Sequence, residues 1–129
     1  MTTHSEIRTE AAPAPVGPYS QAIRAGEFVF ASGQIPLVPE TGKIVGGEIE
    51  DETRQVLTNL AAVLEAAGSG LDRVVKATVY LTDLSLFPRV NAIYAEAFHF
   101  DPAPARVTVG VSSLPLGAQV EIDAVALIS

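Results

Sequence analysis

An arginine and a glutamate stand inside a stretch that reads largely as apolar strand. In "PARVTVGVSSLPLGAQVEIDAVAL", residues 104–127, Arg106 opens one run of valines and Glu121 interrupts a second. Arginine carries a planar fork of donors that matches a carboxylate or phosphate bidentately. A nearby glutamate can hold a water or take its proton. Together they suit a small anionic molecule gripped by Arg106 while Glu121 positions a water. The same two residue types also suit an intersubunit salt bridge, and residue identity alone leaves both readings open. Two further stretches carry groups suited to a pocket. "GPYSQA" sets Tyr19, a donor and an acceptor, in a loop bracketed by proline. "ASGQIP" sets Ser32 and Gly33 at the end of a strand, where glycine lets backbone approach closely. Each also has a plainer role, Tyr19 as a residue resting on the core and Ser32-Gly33 as a bulge.

The elements that must position these residues follow from periodicity. Glu6 to Thr9 reads as a short edge strand, followed by the proline-rich loop "APAPVGPYSQ". A hairpin is predicted from Ala22–Arg24, a turn at Ala25-Gly26, and Phe28–Ser32. "LVPETGKIVGG" reads as a turn-rich ribbon. Between Asp51 and Ala67 the period becomes helical, with Val56, Leu57, Leu60, Leu64 and Ala67 on one stripe. Asp51 is the expected N-cap and Gly68 the expected C-cap. Val74–Leu81 is rich in β-branched residues and reads as a strand. A second helix is expected over Leu86–Phe98, with Phe87, Val90, Tyr94 and Phe98 as its stripe and Pro88 in its first turn. Strands over Arg106–Val111 and Gln119–Ile128 close the chain. The order predicts an α+β or mixed α/β domain spanning residues 1–129, with two helices on one face of a mixed sheet.

Strand alternation then assigns faces. Val107, Val109 and Val111 are expected under the helices, together with Val120, Ile122, Ala124 and Ala126. Arg106 and Glu121, with Thr108 and Asp123, are expected together on the opposite face. Val125 and Leu127 make that face half apolar, which predicts that another subunit covers it.

Composition narrows the function classes. The chain has 129 residues, of which 48% are hydrophobic and 18% charged, and it has no cysteine. Thiolate metal sites, cysteine nucleophiles and disulfides are therefore excluded. The two histidines, His4 and His99, lie far apart, so no metal site is expected. A net charge of −7 without a basic cluster disfavours nucleic acid. No nucleotide-binding glycine motif is present. The beginning of the chain lacks signal-peptide character and no apolar run reaches membrane-span length, so a cytoplasmic protein with no membrane partner is expected.

"GPYSQA", "FASGQIP", "TRQVLTNLAAVLEAAGSGLDRVVKATVYLTDLSLFPRVNAIYAEAF", "PAPARVTV" and "LPLGAQVEIDAVAL" together resemble the RidA (YjgF) family of reactive intermediate deaminases, in register from about Ile7 to Ile128. The resemblance implies a chorismate-mutase-like fold and a homotrimer with sites between subunits. It implies hydrolysis of short-lived enamines and imines, such as 2-aminoacrylate, 2-iminopropanoate and 2-iminobutanoate, to 2-keto acids and ammonia, with no cofactor or metal. By the same resemblance Arg106 grips the substrate carboxylate and Glu121 orients the attacking water. Tyr19, Ser32, Gly33 and Asn91 line the pocket, and Asn91 suits helix packing equally well. Thr108 occupies a pocket position where many relatives carry cysteine, so a thiol-based role is not expected. Other classes stay in view: a non-catalytic trimeric binding module for 2-keto acids or a regulatory partner, an endoribonuclease or translation inhibitor, and, on fold alone, a chorismate mutase.

Overall fold

The computed structural model describes residues 3–128; residues 1, 2 and 129 of the expected domain lie outside them. In chain order the elements are β1 (His4–Ile7), β2 (Ala22–Ala25), β3 (Phe28–Gln34), β4 (Leu37–Val38), β5 (Lys43–Ile44), α1 (Ile49–Ala66), β6 (Val74–Leu81), α2 (Phe87–Ala97), β7 (Ala105–Gly110) and β8 (Val120–Leu127). Six strands form one mixed sheet in the order β1-β2-β3-β8-β6-β7, and β4-β5 is a separate ribbon. All pairings are antiparallel except β6 with β7, the parallel pair that α2 connects. Among the described residues no helix is long and apolar enough to cross a membrane.

Helix α1 supplies most of the lid of the core. Val56, Leu60, Val63 and Leu64 are fully buried against β3 and β8, each contributing roughly 1.5–3 kcal/mol of transfer free energy. Asp51 is not the N-cap. The helix starts at Ile49, and Asp51 in its first turn accepts the Glu48 backbone N–H at 2.8 Å, so the expected capping side chain acts from inside the helix. At the other end Gly68 has φ +81, and its N–H and that of Ser69 return to Glu65 and Leu64 carbonyls. That left-handed turn suits glycine and stops the helix as expected. The first strand is shifted toward the N-terminus because Thr9 turns away, its N–H donating to Gln21 Oε1 at 2.8 Å.

Register assigns the faces, and it overturns part of the expectation. Residues directly opposite in a ladder project to the same side. Ala77, Val79 and Leu81 of β6 and Val120, Ile122, Ala124 and Ala126 of β8 are buried beneath the helices. Arg106 pairs with Ala77 and Thr108 with Val79, so both lie on the helix face. Val107 and Val109 pair with Thr78 and Tyr80 on the outer face and are 41% and 36% exposed. Glu121 and Asp123 lie on that outer face too, opposite Tyr80 and Thr78. The expectation that Arg106, Thr108, Glu121 and Asp123 share a face therefore fails. β7 is an edge strand, so its valines report on the open outer face rather than on the core.

One buried polar group links the core to the loop that follows β3. Asn59 of α1 is fully buried, and its Nδ2 donates to Leu37 O at 2.8 Å and to Ile35 O at 3.3 Å. Replacing Asn59 by alanine strands the buried Leu37 carbonyl, whereas Ile35 O keeps the Leu37 N–H at 2.7 Å; the loss costs about 1–3 kcal/mol. Chemical denaturation of Asn59→Ala is expected to show that loss; an unchanged midpoint would contradict the assignment.

Candidate functional site

Two groups of chemistry-bearing residues emerge, on opposite faces of the sheet. The first gathers around Glu121. β3 takes one extra residue between Ala31 and Gln34 relative to β8. This bulge opens the backbone at Ser32-Gly33 beside Glu121. A Cβ on Gly33 would overlap Glu121 Oε2, so only glycine lets the carboxylate lie against the strand. Ser32 Oγ donates to Ser20 O at 2.6 Å, and Ser32 N–H donates to Gln21 O at 2.9 Å. The hydroxyl proton is thereby committed to the loop, and Ser32 acts as a brace.

Gln21 is the residue that sequence reasoning passed over. It is buried, and its Nε2 donates to the carbonyls of Thr9, Ala12 and Pro13 while its Oε1 accepts from Thr9. The signal was present as the glutamine of "GPYSQA", a polar residue beside the start of an apolar strand. By holding the proline-rich loop, Gln21 fixes Tyr19. The Tyr19 ring is half exposed, and its Oη accepts from Val16 N–H at 3.3 Å. Tyr19, Ser32, Gly33 and Glu121 line one cavity of about 440 Å³, whose remaining wall includes Ile35, Leu37, Pro115 and Leu116.

Glu121 is perturbed within this setting. Burial pushes its carboxyl above the ordinary glutamate range, and the charge of Asp123 two residues along the same face pushes it further. Asp123 in turn accepts from Tyr80 Oη at 2.8 Å. That bond, with burial and the two carboxylates, raises the Tyr80 phenol.

The second group gathers around Arg106. Its guanidinium stacks 4.7 Å from the Tyr94 ring centroid and 5.2 Å from that of Phe87. Nη1 donates to Asn91 Oδ1 at 2.7 Å. All three partners belong to α2, so the helix aims the fork while leaving Arg106 exposed. Stacking on aromatic faces leaves the in-plane N–H donors free for a planar anion. Thr108 Oγ1 and Tyr94 Oη are buried and unpartnered among the described residues. Of the expected site residues, then, the structure joins Tyr19, Ser32, Gly33 and Glu121 in one cavity and Arg106 with Asn91 in another place. Thr108 shares a face with Arg106.

A model of the family described as Endoribonuclease L-PSP matches residues 9–128. A RutC family protein of Pyrococcus horikoshii is 57% identical over 120 residues, which is 93% of this chain and 94% of that one. The chloroplastic Reactive Intermediate Deaminase A of Arabidopsis thaliana is 51% identical over 120 residues, covering 93% of this chain and 64% of that protein. Among solved structures, E. coli TdcF with bound serine superposes with a TM-score of 0.91 at 39% identity, covering 97% of this chain and 99% of that one.

The raised Glu121 carboxyl has a stability consequence with a definite sign. A carboxyl whose folded pKa lies above its unfolded value favours the fold fully below the unfolded value and loses that contribution as pH rises through the folded one. At neutral pH the ionised group is a liability. Glu121→Gln is therefore expected to melt higher than the parent at pH 7, with the gap closing as pH falls below the ordinary glutamate range. An equal or lower melting temperature at pH 7 would contradict the cause given.

Proposed function

The chain belongs to the endoribonuclease L-PSP family, which includes the RidA (YjgF) deaminases, and from that premise we propose that it hydrolyses small 2-imino acids and their enamine tautomers to 2-keto acids and ammonia. The observation that carries the reading is the pairing of a poised carboxylate in a cavity with an aimed, unconsumed arginine fork, each lacking what the other has. TdcF, with its bound serine, shows that a relative takes a ligand of amino-acid size and charge.

The sheet separates Arg106 from Glu121, so one chain does not complete this site; a second copy does. A contact that joins two different surfaces of the same chain is head-to-tail, and where its rotation closes it makes a ring with one site per contact. The outer face supports such an assembly, since Phe28, Phe30, Val107, Val109 and Leu127 are all at least 36% exposed on it. The proposed ring is the homotrimer that the resemblance implies, with a chorismate-mutase-like arrangement and three sites between subunits.

In the proposed reaction Arg106 of one copy takes the substrate carboxylate, which places the electrophilic imine carbon over Glu121 of the next. A water between them adds to that carbon as Glu121 accepts its proton. Glu121 returns that proton to the nitrogen and then relays the carbinolamine hydroxyl proton there too, so that the C–N bond breaks with ammonia leaving, the C=O bond of the keto acid forms and the carboxylate is regenerated. A carboxyl raised by burial suits both transfers, because its affinity for the proton is closer to that of its partners. Imines hydrolyse unaided in water, so orientation supplies most of the modest acceleration required.

The test is a trapping assay. An amino-acid oxidase generates 2-iminopropanoate beside semicarbazide, and the absorbance of the trapped imine is followed. The parent protein is expected to lower trapping, whereas Arg106→Ala loses roughly 100-fold in turnover, the scale of a lost charged hydrogen-bonded contact. Arg106→Lys also loses most activity, because an ammonium does not reproduce the fork. Unchanged turnover in Arg106→Ala would defeat the assignment of roles. No acceleration by the parent, with saturable binding of a 2-keto acid, would make the cavity a binding site alone.

A further inference from the structure

The cavity has a chemical division that the reaction does not use. Tyr19, Gln21, Ser32, Gln34 and Glu121 bring polar groups to its lining, whereas Val16, Ile35, Leu37 and Leu116 bring apolar side chains. Glu121 is the charged residue in the lining. Leu116 stands out among the apolar ones. Its backbone has φ 57 and ψ 26, and among the described residues it is the non-glycine residue with positive φ.

A left-handed backbone is unfavourable for an L-residue bearing a Cβ, and single glycine or asparagine residues are the usual occupants. Packing within the chain does not offset that cost, because Leu116 is 63% exposed. Its neighbour Gly117, with φ 73, is left-handed too, so the turn asks for two successive residues of that conformation. What leucine adds over glycine is an apolar side chain presented to the cavity. Strained backbone of this kind gathers at ligand clamps.

We propose that Leu116 is a specificity-determining residue, clamping the substrate side chain against Ile35 and Leu37 so that 2-imino acids with aliphatic side chains longer than methyl are preferred. The proposal rests on the deaminase reading and names the substrate class within it. A four-carbon aliphatic side chain replaces water along these apolar side chains.

The experiment compares kcat/KM for 2-iminopropanoate and for 2-imino-4-methylpentanoate, each generated by an amino-acid oxidase, in the parent, Leu116→Asn and Leu116→Gly. Both replacements tolerate the left-handed turn, so folding is retained. The parent is expected to prefer the larger imine. Both variants are expected to lose roughly tenfold on it while staying within about twofold on the smaller, the scale of discrimination by an apolar pocket. The melting temperature of Leu116→Gly stays level or rises as strain is relieved. Equal losses on both imines, or a smaller species on gel filtration, would assign Leu116 to a subunit contact and overturn the proposal, as would an unchanged preference. Failure of the parent to accelerate either imine would instead defeat the deaminase reading, and this inference with it.

Discussion

Everything about this site depends on the two-residue alternation of a β-strand. Arg106 pairs with Ala77, and Glu121 pairs with Tyr80. Ala77 faces the helices and Tyr80 faces away, so the arginine and the glutamate are held on opposite sides of one sheet. Side-chain motion does not bridge that separation, because the buried positions Ala77, Val79, Ile122 and Ala124 form an unbroken floor between them. A chain built this way presents two separate groups of chemistry-bearing residues, and the proposed function joins them across copies.

The fold invests in each half separately. On the outer side a one-residue bulge, a glycine without room for a Cβ, and a buried glutamine hold the loop and the carboxylate in place. Asn59 reaches from the core to fix the carbonyls of Ile35 and Leu37 behind the cavity wall. On the helix side, α2 supplies two aromatic faces and one amide to a single guanidinium. The costs appear in the same places: a carboxyl raised by burial, a leucine in left-handed backbone, and phenylalanines open to solvent. Each departs from what a lone, maximally stable domain would choose.

Much of this was legible in the residues. The 3.6-residue stripe of α1 and the β-branched run of β6 place those elements within a few residues, and the sheet of mixed sense with two helices follows from their order. The family resemblance grouped Tyr19, Ser32, Gly33 and Glu121 with Arg106, Asn91 and Thr108; within one chain the first four line one cavity and Arg106 and Asn91 lie elsewhere. The facing of β7 did not. Its valines alternate as a core strand would, yet at the sheet edge the apolar side looks outward, and the polar side meets α2 rings that a one-dimensional pattern does not reveal. Gln21 and Leu116 escaped notice for a related reason. The importance of one lies in three carbonyls spread along a loop, and that of the other in a backbone angle.

The most direct test of a site shared between copies is subunit mixing. Arg106→Ala and Glu121→Gln chains, each inactive alone, are denatured together in equal amounts, refolded and assayed for imine hydrolysis. If each site takes its arginine from one copy and its glutamate from the next, random assembly restores about a quarter of the parent activity, because one in four contacts joins the two intact residues. Activity no greater than the sum of the two variants would contradict the shared site.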